Sequence, residues 1–270
     1  MNFQRTIQKE GSISGFGLHS GERSKIFFKP AIADFGVRFF KNDRLVEGFA
    51  ESARCTAIGS GSQQILTVEH LLAALHGLGI SNIRVDVEGP EIPGLDGSAL
   101  PFVRLFRQLG IQRQKATADV YEIKEPIFCG FEGRAISIIP ERKFSIAYVL
   151  DYPGTSLRSQ IVDFTLTPKN FETQIAPART FCTQEEAAAL KKQGFGKGAN
   201  TRNTLVISKR GALGNRFRFP DECARHKVLD ILGDIALAGF QVLGRVVAIR
   251  SGHALNRELV QKIKNQREVI

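Results

Sequence analysis

The sequence predicts an α+β protein made of two similar domains, each a sheet with helices. Three observations carry that prediction. Alternating apolar and polar residues dominate 3–50 and return over 119–166, the period-two pattern of half-buried strands. Each of these stretches leads into a helical pattern, a single strand and a second helix, so the order sheet, helix, strand, helix occurs twice. A polar run, QRQKATAD at 112–119, separates the two copies. It places a boundary there, with a first domain at 1–116 and a second at 117–270.

The elements follow in order. FQRTIQKEGSIS alternates, KIFF and VRFF are short apolar runs, and the glycines and KND between them read as turns. LTVEHLLAALHGLG, 66–79, has leucines at helical spacing, Thr67 as an N-cap and Gly77 or Gly79 as a terminator. A strand (NIRVDVEG), a loop (PEIPGLDGS) and a helix (SALPFVRLFRQLG) complete the first half. In the second half YEIKEPIF, RAISII, FSIAYVL and IVDFTL read as strands. ECARHKVLDILGDIALAG then reads as a helix, GRVVAIRSG as a strand and HALNRELVQKIKN as the closing helix. This half also holds an insert at about 183–206. TQEE at 183–186 is a capping box opening a short helix, and the glycine-rich FGKGANTRN after it reads as a mobile loop, because it lacks the GxxxxGK[ST] spacing of a phosphate-binding loop.

Composition narrows the function classes. With 270 residues, 43% of them hydrophobic, the chain can bury a substantial core. The net charge of +10 suits an anionic partner. The basic residues are scattered, however, with no aromatic interleaving, which argues against nucleic acid. Cys55, Cys129, Cys182 and Cys223 form no CxxC pair, so neither a zinc ribbon nor a disulfide framework is indicated and a reducing cytoplasm is expected. The first residues lack the apolar core of a signal peptide. No apolar run approaches the roughly 18 residues that span a bilayer, so no membrane insertion is expected.

The chemistry concentrates in RHKVLDILGD, 225–234. On a helix His226, Asp230 and Asp234 lie along one stripe, while Val228, Leu229, Ile231 and Leu232 fill much of the remainder. Carboxylates in such surroundings need a cationic partner, since an unpaired buried charge costs several kcal/mol or more. His226 and Asp230, at i and i+4, fit two readings: two ligands to one metal ion, or a buried histidine–aspartate hydrogen bond. Five histidines are available for a third ligand. His70 follows Glu69, and an acid beside a metal-binding histidine suits a general base. His253 opens a helix after a strand, with Asp234 as a candidate partner to offset the helix dipole. His19 lies in a glycine-flanked turn within reach of a ligand, Thr180 offers a hydroxyl to a developing oxyanion, and Lys227 adjoins a candidate ligand. Each of these three also has an ordinary structural reading. His76 reads as a helix-end residue with no role.

Taken together, TVEHLL, EIPGLDGS, ARTF, RHKVLDILGD and SGHALN resemble, in order and approximate spacing, the motif series of the zinc-dependent UDP-3-O-acyl-N-acetylglucosamine deacetylases of lipid A synthesis. The resemblance spans nearly the whole chain. It implies two similar α+β layers facing each other with the active site between them, and Zn²⁺ held by His70, His226 and Asp230. It further implies Glu69 as general base, His253 as general acid and Asp234 as the residue that orients His253. Thr180 and Lys227 would serve as oxyanion and substrate contacts, with His19 and Phe181 as further substrate contacts. The insert would form a passage for the acyl chain of a UDP-linked acylated glucosamine. A monomer is the default expectation. Two competing readings remain: a zinc amidase or peptidase acting on another acyl-amino compound, and a basic nucleic-acid-binding protein with a closed structural zinc site.

Overall fold

The alternating first fifty residues form strands β1 (Phe3–Ile7), β2 (Gly11–Phe16), β3 (Arg23–Pro30), β4 (Val37–Lys41), β5 (Arg44–Val46) and β6 (Phe49–Ala50). After β7 (Ala57–Ile58) come helix α1 (Glu69–Leu78), β8 (Ile83–Glu88), α2 (Leu100–Leu109) and β9 (Ile111–Thr117). The second half contributes β10 (Val120–Glu122), β11 (Ile127–Phe131), β12 (Arg134–Ile139), β13 (Phe144–Leu150), β14 (Gln160–Thr165) and a short α3 (Pro168–Asn170). It continues with β15 (Phe181–Thr183), α4 (Gln184–Lys192), β16 (Leu205–Ser208), β17 (Gly211–Ala212), α5 (Glu222–Ala236), β18 (Gln241–Ile249) and α6 (His253–Val269). This computed structural model describes residues 3–50, 52, 55–152 and 156–269; residues 1, 2, 51, 53, 54, 153–155 and 270 of the two expected domain spans lie outside them.

Two large sheets organise the chain. The first has the order β2-β3-β8-β4-β5, with β4 parallel to β8 and β3 antiparallel to it. Its inward residues, Ile26, Phe28, Ile83, Val85 and Val87, are buried in one core with Leu71, Leu75 and Leu78 of α1 and Phe102, Val103 and Phe106 of α2. The Phe28 and Phe106 rings meet edge to face with centroids 5.0 Å apart. The second sheet has the order β11-β12-β18-β13-β14, with β10 added alongside β18. Along β18, Val242, Gly244, Val246 and Ala248 point inward and Val247 and Ile249 outward, which is the period-two pattern of a sheet covered on one face. The covering helices are α5 and α6. The fold is thus the expected mixed α+β, with no closed barrel among the described residues.

Helix α1 is held against α5 at unusually close range, and glycine permits it. A Cβ on Gly233 of α5 would lie 2.2 Å from the backbone carbonyl oxygen of Glu69 at the start of α1. Further along α1, a Cβ on Gly77 would lie 2.3 Å from the ring of Phe171. Two side-chain-free positions therefore let α1 pack closely on α5 and on the helical segment Phe171–Ile175.

Several expectations need correction. Thr67 is not the N-cap of α1: its backbone is left-handed (φ 58°), its hydroxyl donates to Glu91 Oε1 at 2.7 Å, and the helix begins at Glu69. Gly79 does end α1, at φ 70° with its N–H bonded to His76 O. YEIKEPIF is two strands, β10 and β11, with the chain turning at the intervening proline-containing segment. The polar 112–119 run lies largely within β9, which pairs antiparallel with β1. A two-stranded ribbon half open to water has no need of an apolar face. The capping box is present: Glu186 N–H donates to Thr183 Oγ1 at 3.1 Å and Thr183 N–H to Glu186 Oε2 at 2.9 Å. The glycine-rich loop after it is pinned rather than loose. Lys197 and Gly198 N–H donate to the carbonyls of His19 and Leu18, and a Cβ on Gly198 would sit 2.1 Å from Gly17 O.

Candidate active site

Because α1 starts where it meets α5, the first turn of one helix faces the middle of the other. His70 from α1 and His226 and Asp230 from α5 offer donor atoms that all lie within 4.8 Å of one another, and all three side chains are buried. The two imidazoles are perpendicular, with centroids 5.0 Å apart. His226 Nδ1 is 3.1 Å from the carbonyl of Ala178, an oxygen that can only accept. The proton therefore sits on Nδ1, and the Nε2 lone pair points inward, 3.3 Å from Asp230 Oδ1. Two donors each roughly 2 Å from one tetrahedral centre would stand about 3.3 Å apart. Burial lowers the His70 pKa to about 3, with His226 contributing, and it lowers that of His226 as well, so both rings are neutral donors. The donor set, its protonation and its spacing fit a divalent cation.

Asp230 is a buried anion with a partner. Burial pushes its pKa up, but Lys227, whose Nζ donates to Oδ2 at 2.8 Å, and then His226 hold it well below the ordinary carboxylate range. Lys227 in turn stays charged despite its own burial because of Asp230. The helix tolerates this charge because it is matched within one turn.

Beside the donor triad lies a second group. Glu69 is nearly fully buried, and burial raises its carboxyl pKa to about 8. His253, at the first position of α6, has Nδ1 2.9 Å from Asp234 Oδ2. Burial disfavours its charge, yet Asp234 outweighs this and lifts its pKa to about 9. His253 Nε2 faces the triad, 3.9 Å from Glu69 Oε1 and 3.9 Å from Asp230 Oδ2. Asp234 is not open to the site; at 0% exposure it stands behind His253, where Asn256 Nδ2 also donates to its Oδ2 at 2.8 Å.

All the sequence-selected residues converge on one cavity of about 1250 Å³, although Asp234 supports it from behind. Thr180 lines it, held by its N–H to Gly97 O (2.8 Å) and by Leu205 N–H to its carbonyl (2.9 Å). Phe181 follows, edge-on to Tyr152 at 5.8 Å and to His226 at 6.4 Å. His19 reaches the cavity from the first-half turn and meets Phe195 of the insert edge-on at 5.7 Å. Ala187, Ala188 and Leu190 of α4 and Val206 of β16 give this end of the cavity an apolar wall.

Two residues at the site were not selected from sequence. Glu91, in EIPGLDGS, is fully buried and accepts from the N–H groups of His19 and Ser20 as well as from Thr67, tying the first-half turn to the chain just before Glu69. Its place inside a motif was the available signal. Thr56 is fully buried in contact with Glu69, Asp234 and His253. It lies in CTAIGS, where no periodicity or spacing marks it.

Two imidazoles and a carboxylate around one point, with a buried acid and a charged histidine beside them, form a group that could hold a metal ion, the arrangement of the metal-dependent hydrolase class. Comparison with known proteins narrows the class. Residues 4–265 match the family UDP-3-O-acyl N-acetylglycosamine deacetylase. A UDP-3-O-acyl-N-acetylglucosamine deacetylase of Anaeromyxobacter sp. (strain Fw109-5) is 39% identical over 267 residues, 96% of this chain and 88% of its own. Enzymes of the same name from Syntrophotalea carbinolica and Myxococcus xanthus are 39% and 36% identical, covering 97% and 96% of this chain and 88% and 86% of theirs. The chain belongs to the UDP-3-O-acyl N-acetylglycosamine deacetylase family. Among the described residues no helix is long and apolar enough to cross a membrane.

Proposed function

We propose that the protein hydrolyses the N-acetyl group of UDP-3-O-(3-hydroxyacyl)-N-acetylglucosamine, releasing acetate and the free amine in an early step of lipid A synthesis, with Zn²⁺ held by His70, His226 and Asp230. The observation that carries this reading is the meeting of those three donors, from two helices, beside the Glu69–His253 pair. A zinc ion there would polarise the amide carbonyl and bring the pKa of a water to about 7.

The protein's own groups do the rest. Glu69, made more basic by burial, takes a proton from the attacking water at Oε1 as the new C–O bond forms. His253, kept protonated by Asp234, gives its Nε2 proton to the nitrogen as the C–N bond breaks, so that a neutral amine departs. Lys227 and the Thr180 hydroxyl face the oxygen on which negative charge develops. His19 and Phe181 contact the substrate, and the 183–206 insert lines the acyl passage. The excess of basic residues suits the substrate's diphosphate. The working unit is a cytoplasmic monomer of two domains, 1–116 and 117–270, with the site between them.

The test is acetate release from the UDP-sugar together with metal analysis. Stoichiometric zinc and acetate release that falls sharply with a shortened acyl chain are expected. Equal turnover of simple acyl-amino compounds would instead favour a general zinc amidase.

A further inference from the structure

We propose that Thr56 is a positioning residue that holds the proton donor and the proton acceptor of the reaction in one frame; this rests on the roles given above to Glu69 and His253. Thr56 is completely buried and uses every polar atom available to it near the site. Its backbone N–H donates to Glu69 Oε2 at 3.0 Å. Its hydroxyl donates to Asp234 Oδ1 at 2.5 Å, since a carboxylate can only accept. The same hydroxyl oxygen lies 3.1 Å from His253 Nδ1, which is also 2.9 Å from Asp234 Oδ2.

With its only proton committed to Asp234, the Thr56 oxygen presents a lone pair to His253. The Nδ1–H is thereby shared between two acceptors, Asp234 Oδ2 and Thr56 Oγ1. The ring cannot turn without breaking both contacts, and its second nitrogen, Nε2, is left aimed at the site. Through its amide the same residue fixes the Glu69 oxygen that does not face His253. One side chain and one peptide group from the segment before α1 thus span residues 69, 234 and 253, on three different helices. A misplacement of about 1 Å in such a pair can cost on the order of 10²-fold in rate.

The test compares Thr56→Val, which keeps the shape and the amide but removes the hydroxyl, with Thr56→Ser, which keeps the hydroxyl. Thr56→Val should lower kcat by roughly 10- to 100-fold with little change in KM, and zinc content should be unaltered. Thr56→Ser should recover most of the rate. Independently of turnover, the proton NMR signal of the His253 Nδ1–H should shift or broaden by exchange in Thr56→Val and be retained in Thr56→Ser. Wild-type kcat and an unmoved Nδ1–H signal in Thr56→Val would overturn the proposal. So would a Thr56→Ser variant as slow as Thr56→Val, which would mark the methyl group's packing as the important part. If the wild type itself released no acetate, the proposed function would fail, while the NMR comparison would still decide whether Thr56 holds the ring.

Discussion

Gly233 of α5 lies directly against the backbone carbonyl of Glu69 in α1, so close that a Cβ would stand 2.2 Å from that oxygen. Backbone has nowhere to retreat in a packed helix pair. Gly233→Ala should therefore push α1 off α5, carrying Glu69 and His70 away from His226 and Asp230. Overpacking of this kind costs about 1–3 kcal/mol. Urea unfolding should show that loss, and metal analysis should show reduced zinc even in the folded fraction. Wild-type stability and full metal content would refute the close-contact account.

Asp230→Ala should abolish bound zinc and activity together. It removes one donor and also leaves Lys227 without the carboxylate that keeps it charged, so part of the loss will appear as destabilisation. Asp230→Asn also removes the charge that pairs with Lys227 but keeps the side-chain volume, so it shows the loss without the cavity. Full zinc occupancy in both variants would contradict the ligand assignment.

The rate should follow a bell-shaped pH profile, its alkaline limb reporting His253. An acid must be protonated to act, so activity falls as pH rises through its pKa, which Asp234 lifts to about 9 against burial. His253→Ala should remove that limb and cost about 10²- to 10⁴-fold in rate. An intact rate with an unmoved alkaline limb would refute the role.

His76 links helix α1 to the second sheet, its ring edge-on to Phe144 of β13 at 6.0 Å. Burial lowers its pKa from 6.5 to about 4. A histidine depressed in the fold gains protons first in the unfolded chain, so stability is full above pH 6.5 and drains as pH falls toward 4. The residue is half-buried, and the loss should be about 1–2 kcal/mol. His76→Leu should flatten this part of the stability-against-pH curve in denaturant titrations. An unchanged acid slope would assign it to other groups.

Much of this was legible in the chain. Periodicity predicted the long elements, because a leucine row at helical spacing or an alternating strand has one economical way to be buried. The i,i+4 pair His226 and Asp230 carried its own geometry, since a helix places such residues on one face wherever it is packed. Local logic failed where a tertiary partner overrode it. Thr67 has the form of a cap, but Glu91, 24 residues on, takes its hydroxyl. The glycine-rich loop reads as mobile, but the 17–21 turn takes its amides.

The sequence by itself determined the α+β class, the elements that carry the chemistry and the residue types at the site, because each depends on spacing within one segment. Only the tertiary structure decided that His70 reaches the α5 pair, that Asp234 stands behind His253 rather than in the cavity, and that Thr56 joins them. Those are contacts between segments up to 197 residues apart. The first of them depends on how closely α1 and α5 can approach at Gly233, and no periodicity along the chain encodes that approach.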